Sequence, residues 1–485
     1  MRTEIPPHQS QQDVAEAKKQ LMDQGFRDAV ATIDQEGHRK YLHPTQPSGK
    51  LYRLRSIFSA VYLIVFFTIP FIKVDGEPLL MFNVLERKFI IFSKIFWPQD
   101  FFIFAVALIT FFVFIILFTV AFGRLWCGWA CPQTIFMEMV FRRIEYWIDG
   151  DANRQIRLRN MPWNGYKIQK RAIKIFVFFT ISFIIANFFL AYLISMDQVL
   201  RMVKDGITQH LGTFSALVVF TTVFFFVYYW FREQACIVVC PYGRLQGVLL
   251  DKNTMVVAYD YVRGEPRTKG SKTIAEGAAG DCIDCHACVR VCPTGIDIRN
   301  GTQLECVNCT ACIDACDAIM HRINKPTGLI RFASENNIAR NERLRFTWRM
   351  VLYSIVILIL VGLLTALLVT RNDVDARVLR SQGQTFQYLQ DGRITNLYNI
   401  KLANKTRKAI PLSIRLENIQ GEIQMIQQID VQPESYFQTS FFVKLNRTQI
   451  TQRKIPIEVG VYQGGKRIQV CKTTFLAPSI DHSNH

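Results

Sequence analysis

Two consecutive cysteine runs constrain this chain more than any other feature. The first reads Cys282-Ile-Asp-Cys285-His-Ala-Cys288-Val-Arg-Val-Cys292-Pro293, the second Cys306-Val-Asn-Cys309-Thr-Ala-Cys312-Ile-Asp-Ala-Cys316. Each is C-x2-C-x2-C-x3-C, the bacterial spacing for paired [4Fe–4S] cubanes. Three cysteines two residues apart wind a tight loop around one cube, and the fourth lies too far along to close it, so it crosses to the other. The spacing therefore predicts Cys282, Cys285, Cys288 and Cys316 on one cluster and Cys306, Cys309, Cys312 and Cys292 on a second. Zinc also takes paired C-x2-C units, but two contiguous quartets argue against it. The pattern Cys282-Ile-Asp-Cys285-His286 matches c-type haem attachment, yet both of its cysteines are needed by a cluster. Asp317 stands where the first run has Pro293, which predicts a looser turn there without loss of a ligand.

Apolar residues are bunched rather than spread. Half of the 485 residues are hydrophobic and 38 are Phe. Five windows lack charge: Ser56–Ile72, Phe101–Gly123, Ile175–Met196, Gly206–Phe231 and Met350–Thr370. The last four are long enough to span a bilayer as helices; the first is shorter and contains Pro70. Together they predict a multi-pass α-helical membrane protein with five spans. The formal net charge of +18 then needs no nucleic acid, for which there is no motif. Arg142, Arg143, Arg154, Arg157, Arg159, Lys167, Lys170, Arg171 and Lys174 crowd one loop, and Arg340, Arg343, Arg345 and Arg349 precede the last window. The positive-inside rule places these stretches in the cytoplasm. That predicts a polar cytoplasmic tail over 1–55, four spans over 56–231, a cytoplasmic loop over 232–349 carrying a ferredoxin domain at about 275–325, a fifth span over 350–370 and a periplasmic domain over 371–485. No cleavable signal peptide is expected from the polar first 50 residues. A cytoplasmic ferredoxin domain would keep its thiols reduced.

Beyond the fifth window the period changes to two. Tyr398-Asn-Ile400-Lys-Leu402, Ile410-Pro-Leu412-Ser-Ile414-Arg-Leu416 and Ile455-Pro-Ile457-Glu-Val459-Gly-Val461 alternate strictly, as half-buried strands do. An all-β, immunoglobulin-like sandwich is expected. It carries no catalytic constellation and reads as a docking or spacer domain. Cys471 is expected as a buried free thiol.

A second cysteine pattern repeats. Cys127-Gly-Trp-Ala-Cys131-Pro132 follows the second window and Cys236-Ile-Val-Val-Cys240-Pro241 the fourth. Both windows run from outside to inside, so both C-x3-C-P motifs fall at the cytoplasmic membrane edge. Cysteines at i and i+4 of a helix share one face, and the proline ends that turn or opens a new helix. Four sulfurs could converge, within one chain or across a homodimer. Thiolates suit Cu(I), zinc or iron–sulfur, and a disulfide/dithiol relay is a further option. Met137 and Met139 are nearby thioether donors. His210 is expected as an interfacial residue, while His286 and His321 flank the clusters as hydrogen-bonding tuners. No G-x-G-x-x-G after a strand and no P-loop are present, so the electron donor is expected to be another molecule.

The two C-x3-C-P motifs, the twin quartets, the five windows, the Arg39-Lys40-Tyr41 region and the β-rich end together resemble the FixG/CcoG-type cytochrome c oxidase accessory proteins, also called RdxA-like iron–sulfur proteins. The resemblance implies a cytoplasmic-membrane protein that helps assemble cbb3-type oxidase by reducing Cu(II) to Cu(I). It implies clusters on the eight ferredoxin cysteines and a candidate copper site at Cys127, Cys131, Cys236 and Cys240. It also implies a cytoplasmic electron donor, a copper exporter or chaperone, and oxidase assembly factors as partners. Two other readings stand beside it: a respiratory conduit from the quinone pool without copper, and a non-enzymatic assembly scaffold.

Overall fold

A computed structural model describes residues 32–478 apart from 34, 35, 37, 75, 85–87, 92, 93, 97–100, 268–279, 341–346, 372, 373, 382, 384, 407, 408 and 434. Most of the expected N-terminal tail, and Arg343 and Arg345 before the last span, lie outside the described residues. The chain divides into two compact units, one comprising residues up to Asn83 with Ala105–Gly362, the other Val84–Phe104 with Leu363 onward.

Among the described residues, five helices are long and apolar enough to cross a membrane: Lys50–Phe71, Phe101–Phe122, Gly165–Ile194, Leu211–Phe231 and Trp348–Val369. The first begins at Lys50, so the polar tail ends before residue 55, where the charge pattern had placed it. Its start has a specific cause. Gly49 has φ +148 and offers no side-chain cap, and the Asp314 carboxylate accepts from the Leu51 and Tyr52 amides at 3.2 and 2.7 Å instead. A carboxylate on the free amides of a first turn is favourable for both hydrogen bonding and the helix dipole. Only glycine fits at 49, because a Cβ there would overlap Asp314. The third helix starts ten residues before its apolar window. Asn164 accepts from the Lys167 amide and caps it, and 30 residues rise about 45 Å, beyond the roughly 30 Å of a hydrocarbon core.

The helices of the first unit meet in an aromatic core of Phe136, Phe141, Phe178, Ile185 and Tyr228. Phe141 and Tyr228 stack with ring centroids 4.6 Å apart. Met137 belongs to this core and Met139 is also buried. At its edge lies a buried ionic network. Glu145 pairs with Lys174 and Arg232, Asp149 with Lys174, and Arg142 with Glu138 and Glu233. Arg39 joins it through Glu233 and lies 4.3 Å from the Tyr41 ring.

In the same unit, strands β1 (Val256–Tyr259) and β2 (Ile330–Ala333) pair antiparallel and bracket the two cysteine runs. In the second unit, after the fifth apolar helix, the described residues form strands β3 (Val374–Arg380), β4 (Gln387–Tyr388), β5 (Ile394–Asn404), β6 (Ile410–Leu416), β7 (Glu422–Met425), β8 (Asp430–Val431), β9 (Tyr436–Leu445), β10 (Lys454–Gln463) and β11 (Lys466–Leu476). One sheet has the order β7-β9-β5-β3 with β4 on β5, the other β8-β6-β10-β11. Their inner faces bury Tyr398, Ile400, Phe441, Ile457, Val459 and Phe475 completely or nearly so. The alternating residues of the sequence are these inner-face positions. Gly464 and Gly465, at φ +53 and +86, form the two-residue hairpin between β10 and β11, a turn type that needs positive φ at both positions. Cys471 is buried in this core, its S–H donating to the Ala376 carbonyl at 3.2 Å.

Candidate metal centres

The two cysteine runs build two matching loops. In the first, Asp284 and His286 flank Cys285 with φ +50 and +55; in the second, Asn308 and Thr310 flank Cys309 with φ +53 and +66. Left-handed residues on both sides of the second cysteine fold each run into a concave nest of backbone amides, which favours negative charge. Such conformations cost energy in non-glycine residues and collect at functional sites. Asp and Asn tolerate them best, and each loop has one. Each nest opens a helix, Ala287–Arg290 after the first and Ala311–Arg322 after the second.

Two cavities sort the eight sulfurs. One is lined by Cys282, Cys285, Cys288 and Cys316 with Tyr259 and His286. The other is lined by Cys292, Cys306, Cys309 and Cys312 with Val257 and Thr294. Cys288 lies between them and borders both. The crossing of Cys292 and Cys316 has a structural source: Cys292 follows the short helix Ala287–Arg290 and Cys316 lies within Ala311–Arg322, and each is carried beside the other loop. Burial pushes the Cys306, Cys288 and Cys316 thiols up to about 12, so a bound cation must supply the charge that makes them thiolates. This donor set fits two cubane clusters. Asp317 does not loosen a turn. Cys316 sits inside the helix, which runs on to Arg322, and the Asp317 carboxylate accepts from the Gly328 amide at 2.9 Å. A proline at 317 would cost the helix a hydrogen bond.

His286 stands 2.8 Å from an Arg299 nitrogen, and Arg299 in turn pairs with Asp284 and Asp297. His321 is exposed at the end of its helix. His210 pairs with Asp205 at 3.4 Å, beside an apolar cavity that also touches Phe214 and Leu217.

The C-x3-C-P pairs do not sit on one helical face. Cys127 lies within the short helix Leu125–Trp129, whereas Cys131 is extended and Pro132 opens the next helix. Cys236 lies in a wide π-type turn over Ala235–Val239; Cys240 is likewise extended and Pro241 opens a helix. Proline at the first helical position needs no amide and pre-sets φ, so both motifs adopt the same break. Further wide turns run over Ile135–Phe141 and Val227–Phe231, and such turns are frequent at functional sites. The four thiols lie near enough for their charges to interact. Cys127 feels Cys131 and Cys240, and Cys236 feels Cys127, Cys131 and Cys240. Burial raises Cys127 to about 11 and Cys236 to about 12. The Cys127 thiol donates to Gln246 Oε1 at 2.8 Å, and Gln246 is held by Thr119 and Tyr242. Among the described residues, no three His, Cys, Asp or Glu side chains are grouped so as to hold a metal ion, these four cysteines included.

This site touches the second ferredoxin loop. Arg124 donates to the Leu304 carbonyl, and its charge reaches Cys127, Cys236 and Cys306 alike. Arg55 Nε donates to the Gly128 carbonyl at 2.8 Å. A Cβ at Gly128 would overlap the Val307 carbonyl oxygen. Gly128→Ala is therefore expected to push the Cys127–Cys131 turn off the 306–309 loop, costing about 1–3 kcal/mol and slowing electron exchange between the two sites. Thermal stability and reoxidation kinetics check it. Gly212→Ala, with open space around it, should change neither. Arg124 and Gln246 carry no motif; Gly128, inside a C-x3-C, and Asn308, inside a C-x2-C, could have drawn notice in the sequence.

Three family descriptions match. Residues 231–335 match a 4Fe-4S dicluster domain, 104–154 a 4Fe-4S binding domain, and 364–478 the IG-like fold at the C-terminus of FixG. Protein RdxA of Cereibacter sphaeroides is 37% identical over 76% of this chain and 80% of its own length. Protein RdxB of the same organism is 36% identical over the same shares. Nitrogen fixation protein FixG of Rhizobium meliloti is 30% identical over 79% of this chain and 80% of its own.

Proposed function

This chain belongs to the FixG/RdxA family of iron–sulfur electron-transfer proteins, and from that premise we propose that it delivers single electrons to Cu(II), yielding Cu(I). The observation that carries the reading is the approach of four soft sulfurs, Cys127, Cys131, Cys236 and Cys240, to the second ferredoxin loop through Gly128 and Arg124. The eight ferredoxin cysteines hold two [4Fe–4S] clusters, in the quartets that line the two cavities. When bound, the clusters supply one-electron storage at a tunable potential.

The protein's own residues do the rest. The paired left-handed turns present amides to the sulfurs, and Tyr259, Val257, Ile298 and Leu329 keep water from them. Arg124 places a fixed positive charge between the ferredoxin loop and the membrane-edge thiols, which stabilises an extra electron on either side. Thiolates favour the soft Cu(I) product over Cu(II). In this reading the ferredoxin domain faces the cytoplasm and takes electrons from a cytoplasmic donor. The C-terminal sandwich, one span further on, faces the periplasm, where it docks partners of a copper-requiring oxidase. The charge asymmetry of the loops supports that orientation.

The test is substitution at the exit. A Cys131→Ser, Cys240→Ser double variant, reduced and then mixed anaerobically with Cu(II), should form Cu(I) at least tenfold more slowly than the wild type while keeping its ferredoxin signals. An unchanged rate would remove copper from the account.

A further inference from the structure

We propose that a cavity between the start of the third apolar helix and the end of the fourth binds a phosphoglycerol lipid headgroup, with Arg159 and Arg171 on the phosphodiester and with His43 Nε2 and Asp149 Oδ1 accepting from the glycerol hydroxyls. The inference goes beyond the copper reading and does not depend on it.

The cavity holds ≈ 250 Å³, room for far more than one water at about 30 Å³. Its wall carries the carboxylates Glu145 and Asp149 and the cations Arg159, Arg171, Lys174 and Arg232. Glu145 and Asp149 are matched by Lys174 and Arg232. Arg159 and Arg171 have no ion pair among the described residues, and Arg159 lies instead 4.9 Å from the centre of the Tyr41 ring. The wall thus has a positive surplus that suits a phosphodiester, which guanidinium groups bind through paired hydrogen bonds. Its place in the fold selects a lipid. Arg171 and Lys174 lie within four residues of the apolar window that begins at Ile175, and Tyr229 and Trp230 close the window that ends at Phe231. Headgroups sit at this level, where aromatic residues gather, and basic pockets between spans here are headgroup sites. Phe226 stacks on Trp230, and Phe225 on Tyr229 with Phe179 against it. Phe179, Phe226 and Trp230 are exposed and offer apolar surface to acyl chains.

Two buried acceptors specify the rest of the headgroup. Gln155 Nε2 donates to the Gly150 carbonyl at 2.8 Å, which leaves its Oε1 to face His43 Nδ1 at 3.1 Å. Nδ1 therefore carries the proton, and Nε2 of the neutral ring is an acceptor. Burial lowers the His43 pKa, which keeps the ring neutral near pH 7. Nε2 is itself buried and has no hydrogen-bond partner among the described residues. Asp149 Oδ2 takes Lys174 at 2.7 Å, while Oδ1, on a side chain 3% exposed, is unpaired in the same way. A buried acceptor left unpaired costs about 1–3 kcal/mol, and both residues line this cavity. The ligand that fits presents an anion to the two arginines and hydroxyl donors to His43 and Asp149. Phosphatidylglycerol has both groups; phosphatidylcholine has the phosphate and no N–H or O–H donor.

The experiment is native mass spectrometry of the full-length protein in detergent with added lipids of matched chains. The wild type should retain about one phosphatidylglycerol per chain, about tenfold over phosphatidylcholine and over phosphatidylmethanol, which keeps the charge and lacks the hydroxyls. Arg159→Gln with Arg171→Gln should lower that retention about tenfold. His43→Phe should bring phosphatidylglycerol down to the phosphatidylmethanol level. Arg154→Gln with Arg157→Gln, on the same helix as Arg159 but outside the cavity, should retain the lipid. Unchanged ferredoxin absorbance in each variant checks that it folds. Equal retention of the three lipids by the wild type would overturn the inference without any variant. Equal loss in the two double variants would overturn it as surface electrostatics. Displacement of the lipid by an equal concentration of glycerol 3-phosphate would assign the cavity to a soluble phosphate ester and overturn the lipid.

Discussion

Cys292→Ala is expected to remove the same cluster as Cys309→Ala, although Cys292 belongs to the other cysteine run. In the structure Cys292 shares its cavity with Cys306, Cys309 and Cys312, and Cys316 shares the other with Cys282, Cys285 and Cys288. Each alanine should cost about half of the ferredoxin iron, because one missing thiolate leaves a cubane with an open corner. The discriminating result is the pairing of spectra. Cys292→Ala should match Cys309→Ala, and Cys316→Ala should match Cys285→Ala. If Cys292→Ala instead matches Cys285→Ala, the quartets follow the sequence runs and the crossing is wrong. Cys288 is a poor choice for this test because it borders both cavities.

Glu145→Gln is expected to be the most damaging change outside the cysteines. Its side chain is 4% exposed and pairs with both Lys174 and Arg232, which are 3% and 5% exposed. Burial alone would raise the Glu145 pKa, but Arg232 and Lys174 outweigh it and hold the carboxyl well below the usual carboxylate range. A depressed folded pKa means the stabilisation is full above the unfolded value near 4.3 and is lost only as pH falls through the folded one. At neutral pH the network is therefore fully charged. Removing this carboxylate leaves Lys174 with Asp149 and takes from buried Arg232 the carboxylate it pairs with, at a cost of about 3–5 kcal/mol. The temperature at which cluster absorbance is lost in detergent should fall sharply. Glu422→Gln, which breaks an exposed pair with Arg393 in the sandwich, should leave it unchanged. Equal, small effects of the two would mean the network is solvated.

That network shows where reading the sequence stops. Arg142 and Lys174 stand in a basic loop, and their count reads as a solvated stripe on the inner face. The structure buries both against carboxylates that lie up to 91 residues away in the chain. Spacing alone reveals neither a partner nor burial, because ion pairing in three dimensions leaves no periodic trace. By contrast, the 4Fe-4S dicluster domain is legible because cluster geometry fixes cysteine spacing locally. The five spans were legible because bilayer thickness fixes a minimum apolar length, and the sandwich because strands alternate with period two. Boundaries shifted where a long-range cap or a polar extension intervened: Asp314 starts the first span at Lys50, and Asn164 starts the third at Gly165. The C-x3-C-P motif is legible as two repeated cysteine pairs. Its break at Cys131 and Cys240, and its seat against Val307, depend on backbone approach that only the fold reveals.

The most direct test of the account follows electrons in the wild-type protein. Reduced anaerobically, freed of reductant and mixed rapidly with Cu(II), it should lose its reduced-cluster absorbance in step with the appearance of chelatable Cu(I). One Cu(I) should form per electron stored, faster than for a soluble dicluster ferredoxin at the same driving force. Reoxidation at the ferredoxin's rate, or without matching Cu(I), would contradict electron delivery to copper at the membrane-edge cysteines.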